Sequence, residues 1–160
     1  MTNWTNDDGI QVQFGPQDTH TVGDTLAPVR RMVVDLDYSN LPTFTADLNN
    51  DGTNNGFAVD AYIPAGAFIT NAYIVVSTAF AGGTSYNLGL YQADGTVIDA
   101  DGIDAGVLLA ALAANKAVVC NGALVGGTAT VGAEDGYLVV AATGTFTAGE
   151  GKLVIEYLEA

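Results

Sequence analysis

The run Asp47-Leu48-Asn49-Asn50-Asp51-Gly52 carries the most specific chemical pattern in this sequence. Side-chain oxygens at alternate positions, followed by glycine, reproduce the first half of a helix-flanked calcium loop, where glycine permits the sharp turn. The second half departs from that pattern, because position twelve is Ala58 where a bidentate Glu is needed. Asp60 offers a carboxylate that could close a looser site. Asp47, Asn49, Asp51 and Asp60 are therefore the candidate metal ligands, and calcium is the one cofactor the sequence suggests. The competing reading is an Asx-turn loop in which Asp and Asn bond their own backbone. A second acidic cluster, Asp99-Ala100-Asp101-Gly102-Ile103-Asp104, is weaker, since Asp104 also suits the cap of a helix.

Other chemistries find fewer residues. The single histidine, His20, lies in a polar stretch, and Ser39, Ser77 and Ser85 stand in no nucleophile motif. Nucleophilic catalysis needs a nucleophile and base within hydrogen-bond reach. One His and one Cys cannot supply the usual zinc ligands, and no glycine pattern of a nucleotide-binding loop opens a helix. Cys120, in VVCNGALV, reads as a small buried hydrophobe and excludes an internal disulfide. Paired carboxylates for glycoside hydrolysis are available in so acidic a chain. A sugar cleft walled by aromatics is harder to build with one Trp in 160 residues. The expectation is a protein without catalytic residues, with a small acidic hydrolase as a distant alternative.

Tyr62, Tyr73, Tyr86, Tyr91, Tyr137 and Tyr157 all fall in strand-like segments, where aromatics pack or pair across a sheet. A carbohydrate-binding platform would instead set two or three of them on one exposed face. Trp4, in a polar terminus, reads either as an anchor for another surface or as a side chain folded back on its own chain.

The elements that must position these residues are strands. Of the 18 acidic residues 14 are Asp, which serves turns, while the chain holds 20 Gly, 17 Thr and 17 Val. Residues 1–9 read as an N-terminal arm. Ile10, Val12 and Phe14 then alternate with Gln11 and Gln13, the period-two signature of a strand. RRMVVDLD continues that pattern over 30–37, and residues 39–56 form the longest polar loop. Further strands are expected at Phe57–Ile63, Ile69–Phe80, Tyr86–Tyr91, Thr96–Ile98, Thr128–Gly132, Tyr137–Ala142 and Lys152–Leu158. Pro64-Ala65-Gly66 is a turn with proline suited to its second position, and Asp94-Gly95 is a two-residue hairpin signal. One short helix is expected near 104–115, where Val107, Leu108, Ala111 and Leu112 share a face at helical spacing. Strands at this spacing indicate an all-β fold, an antiparallel β-sandwich that is jelly-roll-like or immunoglobulin-like, as a single domain over 10–160.

Charge narrows the partners. Against 4 Lys and Arg stand 18 Asp and Glu, a formal net charge of −14. Neither phosphate backbones nor anionic lipids find the cationic cluster they require. No nucleic acid and no membrane are expected as partners. The start, MTNWTNDDG, lacks the basic and apolar regions of a secretory signal, so synthesis in a cytoplasm is expected. The longest apolar run, VLLAALAA at 107–114, falls short of a membrane span.

The order of segments resembles small virion structural proteins of tailed bacteriophages. The resemblance rests on DDGIQVQFG, then RRMVVDLDYSNLP, then IPAGAFITNAYIVVSTAFAGGTSYNLGLYQADGTVIDADGID, and a terminal TGTFTAGEGKLVIEYLEA, nearly the whole chain. It implies a non-enzymatic β-sandwich located in the virion and assembled in the host cytoplasm. The implied role is a capsid decoration or cement protein that binds and stabilises the major capsid shell, often as a homo-trimer. A head-fibre, neck or tail component fits the same resemblance. From another class, the alternative is a carbohydrate-binding adhesion module with a glycan as its partner.

Overall fold

In the computed structural model the described residues are 2–5, 11–14, 29–42, 62–127 and 129–159, the first two segments by their backbone. Their strands are β1 (Thr2–Thr5), β2 (Gln11–Phe14), β3 (Arg30–Asp37), β4 (Tyr62–Ile63), β5 (Phe68–Ala81), β6 (Ser85–Tyr91), β7 (Val97–Leu108), β8 (Lys116–Val119), β9 (Gly136–Thr143) and β10 (Ala148–Leu158). Two antiparallel four-stranded sheets, ordered β3-β10-β5-β8 and β4-β9-β6-β7, form the sandwich expected from the strand spacing. The stretch read as an arm contains β1, which pairs with β2 in a two-stranded sheet and sets Trp4 opposite Val12.

Alternation along each strand creates the core. In β3, Met32, Val34 and Leu36 point inward while Arg31, Val33 and Asp35 point out. Val34, Leu153, Ile74 and Val118 make one inward cross-strand row, and Leu88 with Val140 and Leu90 with Leu138 supply rows from the other sheet. Burying each such side chain contributes roughly 1.5–3 kcal/mol. The absence of charge along β5 and the buried Val154 on the outward face of β10 are explained by position. β10 lies between β3 and β5, and β5 between β10 and β8, so neither is an edge.

Two turns differ in detail from their expected forms. The Ala67 N–H donates to the Pro64 carbonyl at 3.1 Å, with Gly66 at φ +74°. Proline is therefore the first residue of the turn, and glycine takes the left-handed third position. At Asp94-Gly95 the Gly95 N–H donates to the Gln92 carbonyl, and the Gln92 N–H to the Thr96 carbonyl. That closes a three-residue loop with Gly95 at φ +88°, rather than a two-residue one.

The helix expected near 104–115 is replaced by strand. Residues 104–108 extend β7, and only Leu109–Ala111 make a three-residue 3-10 turn. The apolar spacing that suggested a helix is divided differently: Val107 and Leu112 are buried, whereas Leu108 is 61% exposed. Asp104 does not cap a helix, because it pairs with Leu88 in the sheet and its carboxylate accepts the Asn121 N–H. Lys116, just past the segment read as a helix, opens β8 after a turn in which Asn115 has φ +58°. The strand expected at Thr128–Gly132 contributes a single bridge, Thr130 to Phe68.

Candidate functional site

The outward faces of the two sheets hold the features with functional content. On the β3-β10-β5-β8 sheet, Val33, Val154, Tyr73 and Val119 stand in register across all four strands. Asp35, Lys152, Val75 and Ala117 form the adjacent row. Val33, Val75 and Val119 are 50, 43 and 69% exposed, a concentration of solvent-facing aliphatic surface. Lys152 forms an ion pair with Asp35 across the strands. Beside it runs a groove of about 500 Å³ lined by Asp35, Val75, Ser77, Glu150 and Lys152, among others.

The other sheet presents an aromatic row. Core positions Ile63, Leu138 and Leu90 alternate with Tyr62, Tyr137 and Tyr91, which therefore share the outer face. Strand register sets Tyr62 opposite Tyr137, Tyr137 opposite Tyr91, and Tyr91 opposite Val97. The Tyr62 and Tyr137 rings lie with centroids 5.8 Å apart and planes tilted by 39°. A cleft of about 390 Å³ adjoins Tyr137 and is lined by Gln92, Ala93, Asp94, Glu134 and Asp135. Two of its carboxylates are held by backbone N–H groups, Asp94 within its own turn and Asp135 by the distant Pro64-Ala65-Gly66 turn. Asp135 Oδ1 accepts the Ala65 N–H at 2.9 Å, and Asp94 Oδ1 accepts the Thr96 N–H at 2.9 Å. Hydrogen bonds from Thr96 hold the Asp94 carboxyl below its usual range, so it is ionised at neutral pH.

The candidate calcium ligands Asp47, Asn49, Asp51 and Asp60 lie outside the described residues, as does His20. The second acidic cluster is split by the fold. Asp99 Oδ1 accepts the Asp101 N–H, an Asx-type contact, while Asp104 turns inward. Among the described residues no group of three or more His, Cys, Asp or Glu side chains is placed to hold a metal ion. Asp104 Oδ2 accepts the Asn121 N–H at 3.2 Å, and its carboxylate is hydrogen-bonded to the Cys120 thiol. Burial raises the Asp104 carboxyl. Burial first, then the Asp104 charge and hydrogen bond, push the Cys120 thiol up to about 12. A thiol held protonated in this way is a poor nucleophile.

The tyrosine row was legible in the sequence only as residue types in strands. Its assembly depends on cross-strand register, which no local pattern reports. β8, which carries Val119, follows directly on the segment read as a helix and was not among the expected strands.

No family model matches this chain, and no curated protein matches it. Solved structures do. A chain in the capsid of Ralstonia phage GP4 is similar with a TM-score of 0.54 and 15% sequence identity, over 88% of this chain and 90% of that one. A chain in the capsid asymmetric unit of cyanophage Pam1 is similar with a TM-score of 0.53 and 16% identity, over 98% of each. At such identities the likeness establishes a common fold, which extends over nearly the full length of each chain.

Proposed function

We propose that this chain is a non-enzymatic structural component of a bacteriophage virion, a decoration or cement protein seated on the outer surface of the major capsid shell. The observation that carries the reading is the near full-length likeness of its sandwich to chains of two phage capsids. The sequence resemblance, which rests on different information, points the same way.

The aliphatic outer face of the β3-β10-β5-β8 sheet is the surface suited to the shell. Burying exposed valines supplies apolar free energy at roughly 25 cal/mol per Å². The Asp35–Lys152 pair on the same face is solvent-exposed and contributes orientation more than affinity. A homo-trimer over a symmetry axis would repeat this contact three times and gain by effective concentration. The net charge of −14 keeps such a protein soluble at high copy number and away from packaged DNA.

The test uses shells of the parent phage assembled without this chain. Added protein should co-sediment with them and raise their melting temperature, and Val75→Asp with Val119→Asp should abolish both effects. Absence of co-sedimentation would overturn the decoration role. Light scattering of the free protein at three times 16.4 kDa would support the trimer, whereas a monomeric mass would exclude a trimer preformed in solution.

A further inference from the structure

We infer that the outer face of the β4-β9-β6-β7 sheet binds a neutral saccharide, with Tyr62, Tyr137 and Tyr91 as its stacking platform. The three rings stand in one cross-strand row on neighbouring strands β4, β9 and β6. At about 4.8 Å per strand the row spans roughly 10 Å, room for two or three sugar rings. Tyr62 is 43% exposed and its neighbours are half-buried. Each ring is thus anchored in the sheet while keeping some surface for a ligand.

The chemistry selects the ligand. A pyranose ring has an apolar C–H face bordered by hydroxyl donors. The π-face of tyrosine carries partial negative charge and attracts such C–H groups, and it loses little conformational entropy on binding. The cleft beside Tyr137 supplies the complementary rim: Asp94, Glu134 and Asp135 accept hydroxyl hydrogens, and Gln92 can accept or donate. The same carboxylates, on a chain of charge −14, repel uronates, sialic acids and phosphate-bearing ligands. Nucleic-acid bases, which also stack on aromatics, are opposed by the charge of their backbone. A protein partner fits less well, because the broad aliphatic surface suited to it lies on the opposite sheet. Those two outer faces of the sandwich point in opposite directions. If the valine face meets the shell, the tyrosine row faces outward. The orientation rests on the proposed function, but the saccharide site does not.

The experiment needs only the isolated full chain. Maltohexaose, cellohexaose, chitohexaose and yeast mannan would be titrated by calorimetry and by NMR chemical-shift mapping, with heparin and polysialic acid as anionic probes. At least one neutral glycan should bind in the micromolar to millimolar range and shift tyrosine resonances. Tyr62→Ala and Tyr91→Ala should each weaken it about tenfold, Tyr62→Phe should retain most of it, and Val119→Asp should leave it unchanged. Circular dichroism establishes that the variants fold. No binding of any neutral probe, tighter binding of the anionic ones, or unaltered binding in both alanine variants would overturn the proposal. Shell binding is untouched by any of these outcomes, so the two functions fail separately.

Discussion

The rings of Tyr86 and Phe146 stack with centroids 4.2 Å apart and planes 20° from parallel. Phe80 meets both edge-on, at 5.4 and 6.1 Å. The cluster closes one end of the core, and it does so at a cost. The Tyr86 side chain is fully buried, and its hydroxyl finds no hydrogen-bond partner among the described residues. A buried unpaired hydroxyl costs about 1–3 kcal/mol. Tyr86→Phe should therefore raise the urea midpoint, while Phe146→Ala should lower stability by about 3–5 kcal/mol. Chemical denaturation measures both, and a destabilised Tyr86→Phe variant would show that the hydroxyl is satisfied.

Asp104 should give stability an unusual pH dependence. Burial raises its carboxyl above the ordinary value of about 3.9, so the folded state binds that proton more tightly than the unfolded chain. Its contribution is most favourable below the unfolded value and declines as pH rises through the folded one. Asp37, lowered by bonds from Ser39, and Asp94, lowered by bonds from Thr96, act in the opposite sense. They favour the folded state above the unfolded value and lose that effect as pH falls through the folded one. Asp104→Asn keeps an acceptor for the Asn121 N–H and removes the charge. The melting-temperature difference, variant minus native, should grow as pH rises from about 4 and then level off. A difference independent of pH would contradict the burial argument.

Gly89 should tolerate no side chain. Leu88 pairs with Asp104 and Leu90 with Asp99, so residues 100–103 bulge opposite this one glycine. A Cβ at Gly89 would lie 2.3 Å from the Ala100 carbonyl oxygen. Gly89→Ala should cost about 1–3 kcal/mol through displacement of the bulge, read as a lower denaturation midpoint. A variant of unchanged stability would mean that the β7 backbone yields freely.

Cys120 should report global opening. Its side chain is buried in the core, and its thiol is pushed up to about 12. Ellman's reagent should label the native protein slowly, at a rate that follows unfolding, and the denatured protein rapidly. Immediate stoichiometric labelling of the native chain would show an accessible thiolate.

Period-two alternation was enough to reveal β3 and β6, because each turns alternate side chains into the core. By contrast, β9 has three successive buried residues, Leu138, Val139 and Val140, and shows no such period. β5 and β10 were legible as apolar runs, and the structure supplies their reason, since both are interior strands. The 104–115 segment misled because Val107, Leu108, Ala111 and Leu112 fit a helical stripe by local spacing alone. The sheet uses Val107 and leaves Leu108 in solvent, a choice made by pairing with distant Tyr86 and Ser85. The candidate metal ligands 47–60 lie outside the described residues, so the sequence pattern there stands alone. The sequence by itself determined the all-β class, the acidity and the turn positions, since these follow from local residue preferences. Only the tertiary structure decided which residues share a surface. Tyr62, Tyr91 and Tyr137 are separated by up to 75 positions in the chain, and only hydrogen-bonded register between non-consecutive strands sets their side chains side by side.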